Sequence, residues 1–420
     1  MDHPTSPLRV AHFVQRYPPA VGGSEAYFAR LADYLTAHGD AVTVFTSSAV
    51  GLTDMWRGSR EIAEPDDGPV TVHRFPPLAL PGRRYVLKAA SLVPVRRWQA
   101  LTAPCNPVCP AMWAAAGRYA EPLDAVHATA FPYSFPIACA LRLARRRGVP
   151  FLITPFLHTG DPTDPHDRTR RQYTTPHLRW LLRQADRVFV QTRVERDTVV
   201  SLGVRPERVV LQGLGVDAAE CTGGDRAAAR QAWRVGPGEP VVGHLANASV
   251  EKGTVDLLDA AARVWATGKD FRLVLAGPEM PNFRAAWDRC PHRDRVVRLG
   301  VLSEAAKRDF YAGIDAFALP SRSDSFGLVL LEAWANGKPN LVYRAGGPAE
   351  LVRDEVDGLQ ARCGDVAGLA DRLRRLVCDA GLRVRLGEAG RDRAGREFRW
   401  ADKLEMVRRE MLVLRRGSPT

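Results

Sequence analysis

The sequence lacks long apolar runs, cysteines spaced in pairs as in disulfide-rich proteins, and a recognisable secretory leader. No stretch approaches 18 consecutive apolar residues, so no membrane-spanning helix is expected. The opening MDHPTSPLRV has no basic region followed by an apolar core, which argues against a secretory signal. The chain has seven cysteines, an odd number without regular spacing, which is typical of a protein in a reducing compartment. These absences predict a cytoplasmic protein.

Metal-binding and nucleic-acid-binding patterns are also weak. Cys105 and Cys109 form the only close cysteine pair, and without a second pair the spacing favours buried thiols over a zinc site. The net charge of +12 and the pI of about 9.7 would suit a nucleic-acid-binding protein. The sequence has neither a basic helix nor an aromatic stacking platform for that role. Only six of the 59 basic residues are lysines, and the arginine excess is typical of nucleotide bias in a genome.

One stretch, Gly82 to Leu101, interleaves cations with apolar and aromatic residues. Its cations are Arg83, Arg84, Lys88, Arg96 and Arg97, and its apolar residues include Tyr85, Leu92 and Trp98. This composition is typical of a segment that lies on an anionic membrane surface. It is equally typical of an amphipathic helix packed on its own domain. The sequence leaves both interpretations open.

The length and the element pattern predict two α/β domains. At 420 residues the chain exceeds what one hydrophobic core normally holds. Short apolar strands alternate with helices in both halves, the pattern of doubly wound folds. A turn-rich linker is expected over Val204–Pro240. The predicted strands are Val10–Val14, Ala41–Phe45, Ala125–Ala128, Phe151–Thr154, Val188–Gln191, Val241–Leu245 and Arg272–Ala276.

The segment from Leu319 to Leu359 carries the clearest chemical signal. An apolar run ends at Pro320, a polar loop follows, and a helical pattern begins at Phe326. Asp324 lies in the loop, and Glu332 lies two turns into the predicted helix. Between them the backbone amides of Ser325, Phe326, Gly327 and Leu328 are expected at a helix N-terminus, which favours anions. An N-capping aspartate and a helix-face glutamate are the ordinary alternative.

This segment resembles the paired-acid motif of glycosyltransferase family 4, retaining nucleotide-sugar-dependent enzymes. The resemblance implies the GT-B fold, an α/β fold with two Rossmann-like, doubly wound domains that face a central cleft. It implies that Asp324 faces the donor sugar, that Glu332 holds the nucleotide ribose, and that the amides of Phe326 to Leu328 receive the diphosphate. Positions that match the family pattern are frequent from about Val241 to Trp400 and rare from about Gly51 to Val149. Family members usually have glutamate where this chain has Asp324.

A second motif of the family lies in the first loop of the second half. Lys252 and Gly253 match the family's Lys-Gly, in which the ammonium pairs with the nucleotide diphosphate. An arginine usually stands five residues before that lysine, and here the position is Asn247. Arg322, in the loop before Asp324, is the candidate replacement for the missing cation. A solvated surface lysine is the structural alternative for Lys252.

The first half offers two further candidates by resemblance. Gly23, in the turn after the first strand, matches a family glycine whose amide approaches the donor phosphate or the acceptor. The family often places a histidine at a strand end, and His158 is two residues beyond the matching position. Side chains two apart on a strand share a face, so His158 is the predicted catalytic histidine. A loop histidine bonded to Asp161 is the alternative, and His127 is a weaker candidate.

The predicted domains are 1–215 for the acceptor, 216–400 for the nucleotide sugar and a C-terminal helix, 401–420, that returns to the first. We expect transfer without metal or other cofactor, because no D-x-D motif lies in a suitable loop and a diphosphate leaving group can be stabilised by cations and amides. The acceptor would be a glycan, lipid-linked or small-molecule hydroxyl, as in bacterial cell-envelope or polysaccharide synthesis, with possible contact to an anionic membrane. A nucleotide-sugar 2-epimerase is the enzymatic alternative, and no lysine lies in the context that a phosphorylase's pyridoxal phosphate needs.

Overall fold

A computed structural model describes residues 7–51, 53–57, 68–79, 81–160 and 166–417. Two compact units are present. The first draws on Met1–Leu157, Arg171–Gln212 and Leu404–Thr420, and the second on His158–Arg170 and Gly213–Lys403. The short segment that begins at His158 therefore belongs with the second unit, although it follows a strand of the first. The predicted roles and boundaries of the domains stay predictions.

The first unit contains a seven-stranded parallel sheet in the order β3-β2-β1-β4-β5-β6-β7. Its central strands are apolar along most of their length because helices cover both faces of a parallel sheet. The predicted strands of this half are confirmed, within a few residues at their ends. The strands are β1 (Arg9–Val14), β2 (Ala41–Ser47), β3 (Val70–Phe75), β4 (Ala125–Ala128), β5 (Phe151–Ile153), β6 (Arg187–Val190) and β7 (Val209–Leu211).

Helices of this half cover the sheet and bury a continuous core that includes Phe13, Phe45, Val126, Phe151 and Leu181. One of them, α7, has residues in both units. The helices are α1 (Gly23–Ala37), α2 (Asp54–Arg57), α3 (Arg83–Ala90), α4 (Arg96–Thr102), α5 (Pro110–Arg118), α6 (Ser134–Arg147), α7 (Arg168–Tyr173), α8 (Pro176–Gln184) and α9 (Arg193–Ser201).

The second unit contains a six-stranded parallel sheet in the order β10-β9-β8-β11-β12-β13. The two sheets confirm the predicted pair of Rossmann-like, doubly wound folds. In each sheet the strand order reverses beside the first strand, and such switch points are where these sheets bind ligands. The strands are β8 (Val241–Leu245), β9 (Arg272–Ala276), β10 (Val296–Arg298), β11 (Ala316–Leu319), β12 (Asn340–Tyr343) and β13 (Gly358–Ala361).

Helices of the second half pack around a core that includes Leu257, Trp265, Leu273, Tyr343 and Leu373. From Leu404 onwards the last helix, α19, packs in the first unit, where Arg408 pairs with Asp40 at 2.7 Å. The helices are α10 (Ala218–Cys221), α11 (Arg226–Ala232), α12 (Thr254–Ala266), α13 (Pro281–Trp287), α14 (Glu304–Gly313), α15 (Leu328–Ala335), α16 (Gly346–Leu351), α17 (Val366–Cys378), α18 (Ala380–Glu397) and α19 (Trp400–Gly417).

Two sequence predictions were wrong in detail. The helix expected to begin at Phe326 begins at Leu328, because Gly327 adopts a left-handed conformation with φ of 90° and serves as the N-cap. The expected linker, Val204–Pro240, contains the edge strand β7 and the short helices α10 and α11. Within the described ranges, none of the helices combines the length and the apolar character needed to cross a membrane.

Candidate active site

Two loops meet at the switch point of the second sheet. Strands β8 and β11 are neighbours, and each loop follows the carboxyl end of its strand. The loop after β8 leads to Gly253, where a Cβ atom would lie only 1.8 Å from the carbonyl oxygen of Pro320 in the loop after β11. The amide of Arg322 also donates to the carbonyl of Glu251 at 2.9 Å. The switch point therefore joins the two predicted motifs into one site.

An ion pair connects the two motifs at this point. The ammonium Nζ of Lys252 lies 2.7 Å from Oδ2 of Asp324, and the two side chains are 24% and 15% exposed. Burial alone would raise the pKa of Asp324, but the charge and hydrogen bond of Lys252 hold that pKa below its usual value. Asp324 is therefore ionised at neutral pH. Lys252 is a partnered, half-buried cation, not a solvated surface lysine.

Unused backbone amides lie beside this pair, where α15 begins. The amide of Phe326 is 3.4 Å from Oδ1 of Asp324. The amides of Ser325, Gly327 and Leu328 make no hydrogen bond to any part of the chain that the structure describes. A helix N-terminus carries roughly half a positive charge. The amides named from the sequence are therefore available to an anion, although only Leu328 lies within the helix itself.

Glu332, the second acid, is held by two side chains of α14. Lys307 approaches one carboxylate oxygen at 3.1 Å, and the hydroxyl of Tyr311 donates to the other at 2.8 Å. Burial would lower the pKa of Lys307, but the charges and hydrogen bonds of Glu332 and Glu304 outweigh it and raise that pKa. Lys307 and Tyr311 were not predicted from the sequence. The scarcity of lysine and the i, i+4 spacing of the two residues were the available signals.

His158 lies beside the loop after β11 in the same unit. Its Nδ1 atom is 3.4 Å from Oγ of Ser323, the neighbour of Asp324. Burial and the nearby charge of Lys252 lower the pKa of His158 to about 4, so the ring is neutral at pH 7. His158 and Phe156 do not share the face of a strand, contrary to the prediction, because β5 ends at Ile153 and Phe156 has φ of 50°. The alternative partner Asp161 lies outside the described residues.

The other histidine candidate, His127, is a core residue. It lies within β4, is fully buried, and its Nε2 atom contacts Oγ1 of Thr154 at 2.8 Å. Burial lowers the pKa of His127 well below its ordinary value. Its ring packs against the rings of Phe28, His12 and Phe189. These contacts give it a packing role and leave His158 as the histidine beside the ion pair.

Asn247, at the position of the family's arginine, and Arg322, its candidate replacement, occupy different environments. Asn247 is exposed in the loop after β8. Arg322 donates to a carboxylate oxygen of Asp256 at 2.5 Å, and the hydroxyl of Tyr343 donates to the same oxygen at 2.9 Å. The guanidinium is thus oriented by a buried acid and remains partly exposed, with 38% of its side chain accessible. Asp256 and Tyr343 were not predicted from the sequence.

Gly23 is the first residue of α1, at the switch point of the first unit's sheet. No atom lies within 4 Å of the position that a Cβ atom would occupy on Gly23. The adjacent turn is held by the buried carboxylate of Glu25, which pairs with Arg16 at 2.6 Å and accepts from the amide group of Gln15 at 3.1 Å. The open backbone at Gly23 suits close approach by a ligand. Arg16 and Glu25 were missed because neither belongs to a recognisable motif.

The described residues contain no group of three or more histidine, cysteine or acidic side chains placed to hold a metal ion. Metal independence stays a prediction. Cys105 and Cys109 are free thiols, and burial raises the pKa of Cys105 to about 11 and that of Cys109 to about 12. Both thiols are therefore protonated at neutral pH.

Two protein families match the chain, one in each half. Residues 22–215 match the family described as Glycosyl transferase 4-like domain. Residues 225–393 match the family described as Glycosyl transferases group 1. The second match contains Lys252, Asp324, Glu332 and their partners on α14, and the first contains Gly23 and His158.

Curated relatives and solved structures agree with these matches. The chain is 32% identical over 304 residues to D-inositol 3-phosphate glycosyltransferase of Saccharomonospora viridis, covering 66% of this chain and 68% of the relative. It is 36% identical over 200 residues to the enzyme of that name from Mycobacterium sp. (strain KMS), covering 46% and 45%. The chain thus spans less than half the length of some relatives that it matches.

Solved structures with a similar fold align with nearly the whole chain. Sucrose-phosphate synthase of Thermosynechococcus elongatus matches with a TM-score of 0.73 and 20% identity, over 97% of this chain and 99% of that protein. HepE of Anabaena, solved in complex with UDP, matches with a TM-score of 0.69 and 19% identity, over 96% and 99%. At this identity the structural likeness concerns the fold alone.

Proposed function

Because this chain belongs to the family-4-like glycosyltransferases of the GT-B fold, we propose that it moves a sugar from a nucleotide-diphosphate donor to an acceptor hydroxyl, with retention at the anomeric carbon and without metal. The observation that carries the proposal is the ion pair of Lys252 and Asp324 beside unused amides at the start of α15. A cation and free amides suit a diphosphate, and an ionised carboxylate suits sugar hydroxyls.

Each group of the site has a proposed task. Lys252 and the amides of Gly327 and Leu328 bind the diphosphate, and Arg322 supplies a second cation in place of the arginine that Asn247 replaces. Glu332, oriented by Lys307 and Tyr311, accepts hydrogen bonds from the ribose. Asp324 binds hydroxyls of the donor sugar. Diphosphate binding would compete with Asp324 for Lys252, and the ion pair with Asp324 orients the ammonium for that contact.

The proposed transfer needs no group beyond these. The acceptor oxygen attacks the anomeric carbon on the face from which the nucleotide leaves, and the bond between that carbon and the phosphate oxygen breaks. The departing phosphate takes the acceptor's proton. Lys252 and the amides stabilise the negative charge that develops on the leaving group. The neutral ring of His158 exchanges a hydrogen bond with a donor-sugar hydroxyl.

The donor and the acceptor are proposed by chemical class. UDP-sugars are the first donors to test, because a similar structure contains UDP and another contains UDP-glucose. The first unit, with Gly23 at its switch point, would receive the acceptor, which is a glycan, lipid-linked or small-molecule hydroxyl. Inositol phosphates belong in the acceptor panel because curated relatives carry that name. The cytoplasm, and bacterial envelope or polysaccharide synthesis, are the proposed setting.

The test is a donor screen followed by a product assay. UDP-, GDP- and ADP-sugars are compared for their effect on thermal unfolding, since a ligand at a hundred times its Kd stabilises by about 2.7 kcal/mol. The protecting donor is then incubated with acceptors, with and without excess EDTA, and the anomeric configuration of the product is determined. We expect retention and equal rates with EDTA. Release of free nucleotide without an acceptor would favour an epimerase, and loss of activity that manganese restores would overturn metal independence.

His158 has a separate test. Replacing His158 by Ala should lower kcat by about a hundredfold or more, the scale of a positioned catalytic histidine. His177, whose pKa burial also lowers to about 4, is a matched control, and His177→Ala should leave kcat near the wild-type value. An undiminished rate for His158→Ala would remove His158 from the mechanism.

A further inference from the structure

The first unit exposes one surface on which cations and large apolar side chains alternate. It is formed by α3, α4 and the loop between them, and we call it the cationic apolar face. Tyr85 is 79% exposed and Leu92 is 77% exposed, which is unusual for side chains of this size. The face consists of the exposed residues Arg84, Tyr85, Val86, Lys88, Leu92, Val93, Val95, Arg96, Arg97 and Trp98.

The inner sides of α3 and α4 anchor this face to the unit. Leu87 and Ala100 are buried, and Arg83 is 5% exposed and donates to the carbonyl of Asn106. The indole of Trp98 donates to the carbonyl of Ala90 at 2.8 Å, which joins the two helices. Arg83, counted among the surface cations from the sequence, is therefore a structural residue. The inner side therefore packs on the domain as one interpretation expected, and membrane contact by the exposed side stays a prediction.

The segment that carries this face contains basic residues but no acidic ones. Residues 68–120 contain no aspartate or glutamate, whereas about six would be expected from the chain's 47 acids in 420 residues. No acid of the same segment therefore balances the exposed cations Arg84, Lys88, Arg96 and Arg97. A surface of this kind attracts a polyanion and repels a second copy of itself, because a twofold interface would place these cations against each other.

We propose that the cationic apolar face binds the surface of an anionic lipid bilayer. Its cations would lie at the headgroups while Tyr85, Leu92 and Trp98 enter the boundary with the acyl chains. A nucleic acid would satisfy the cations but leave aliphatic residues such as Leu92 and Val95 in water. An anionic bilayer offers a partner to both kinds of side chain. The proposal does not depend on the proposed function, because binding requires no nucleotide sugar.

The binding should be weak and salt-sensitive. Each lysine or arginine near an anionic membrane raises the partition coefficient about fivefold, and salt screens this contribution. Four cations therefore give reversible association at low ionic strength that about 0.5 M salt largely removes.

The experiment sediments the full chain with vesicles of phosphatidylcholine, with or without one part in three of phosphatidylglycerol. We expect binding to the anionic vesicles at low salt only. A triple variant should bind these vesicles about a hundredfold more weakly, since three fivefold factors are lost. It combines Arg84→Gln, Arg96→Gln and Arg97→Gln. The matched control Arg145→Gln, Arg146→Gln, Arg147→Gln removes three exposed cations from the end of α6 in the same unit and should bind like wild type.

A second variant tests the apolar part without changing charge. Tyr85→Ser with Leu92→Ser should lower binding at least tenfold, and thermal unfolding should be unchanged because both side chains are exposed. Equal losses in the two arginine variants would reduce the effect to net charge and overturn the proposal. Unchanged binding of the serine variant would also overturn it. Retention on single-stranded RNA, sensitive to the face variant and without vesicle binding, would assign the face to nucleic acid instead.

Discussion

At the scale of single residues, Lys252 is the cation that we propose for diphosphate binding. Its ammonium is already oriented by Asp324, so little side-chain freedom would remain to be lost if a phosphate replaced the carboxylate. The same arrangement explains why Asp324 stays ionised despite its burial.

Lys252→Ala should weaken binding of the nucleoside diphosphate by at least tenfold and leave nucleoside binding nearly unchanged, because the lost contact is to phosphate. Titration calorimetry with UDP and uridine measures the difference. Lys269→Ala is the control, since Lys269 is exposed and lies beyond α12. Equal losses for UDP and uridine would give Lys252 a structural role.

Glu332→Gln should weaken nucleotide and nucleoside alike, because its proposed partner is the ribose that both contain. Loss of a charge-assisted hydrogen bond costs about 1.5–3 kcal/mol, which corresponds to roughly ten- to more than a hundredfold in Kd. Glu304→Gln is a matched control, since Glu304 also contacts Lys307 at 2.9 Å but is 75% exposed. Identical affinities in the two variants would contradict the ribose assignment.

At the scale of elements, the sequence predicted the strands better than the helix ends. Strands such as β4 and β11 are buried on both faces and therefore stand out as short apolar runs. The start of α15 was misplaced because Phe326 continues the apolar period while Gly327 breaks the helix by its backbone conformation. Hydrophobic periodicity records which side chains are buried, and it does not record a backbone angle.

The contact between the two site loops also depends on backbone conformation. Gly253 and Gly268 flank α12 with φ of 72° and 75°, but only Gly253 approaches another loop. Both Gly→Ala variants should lose roughly 1–2 kcal/mol of stability from the left-handed conformation. Gly253→Ala should in addition displace the loop after β11 and lower UDP affinity by at least tenfold. Thermal unfolding and UDP titration of both variants measure these effects, and normal UDP affinity in Gly253→Ala would show that the loops move independently.

At the scale of the whole molecule, the sequence predicted the two folds and supplied the two acids of the candidate site. It did not identify Lys307, Tyr311 and Asp256, because these residues meet the motifs only through packing of separate helices. Arg83 was misassigned for a related reason, since composition alone cannot tell the inner side of a short helix from the outer one. Residues adjacent in sequence were predictable, and partners supplied by tertiary structure were not.

The stability of the molecule should depend on pH through its buried histidines. His12, His127 and His244 are fully buried, and burial lowers the pKa of His12 to about 3 and that of His244 to about 4. Below pH 6.5 the unfolded chain binds protons that the folded chain excludes. Stability is therefore greatest above pH 6.5 and falls as the pH decreases towards 4.

His12 provides the test, because neither ring nitrogen has a hydrogen-bond partner among the described residues and Phe28 packs against the ring. His12→Phe should unfold at a higher temperature than wild type below pH 6.5, and the advantage should grow by up to about 1.4 kcal/mol per pH unit. His73→Gln, at an exposed position, should follow the wild-type dependence. Parallel curves for His12→Phe and wild type from pH 7 to 4.5 would contradict this account.

Because lysine is scarce in this chain, amine-reactive reagents would label the site selectively. Two of the chain's six lysines, Lys252 and Lys307, contact the two acids of the site. An amine-reactive label read by mass spectrometry would therefore modify few positions, two of which lie in the proposed donor site. Occupancy by any candidate donor could be followed at those two positions without knowing the acceptor or observing a product.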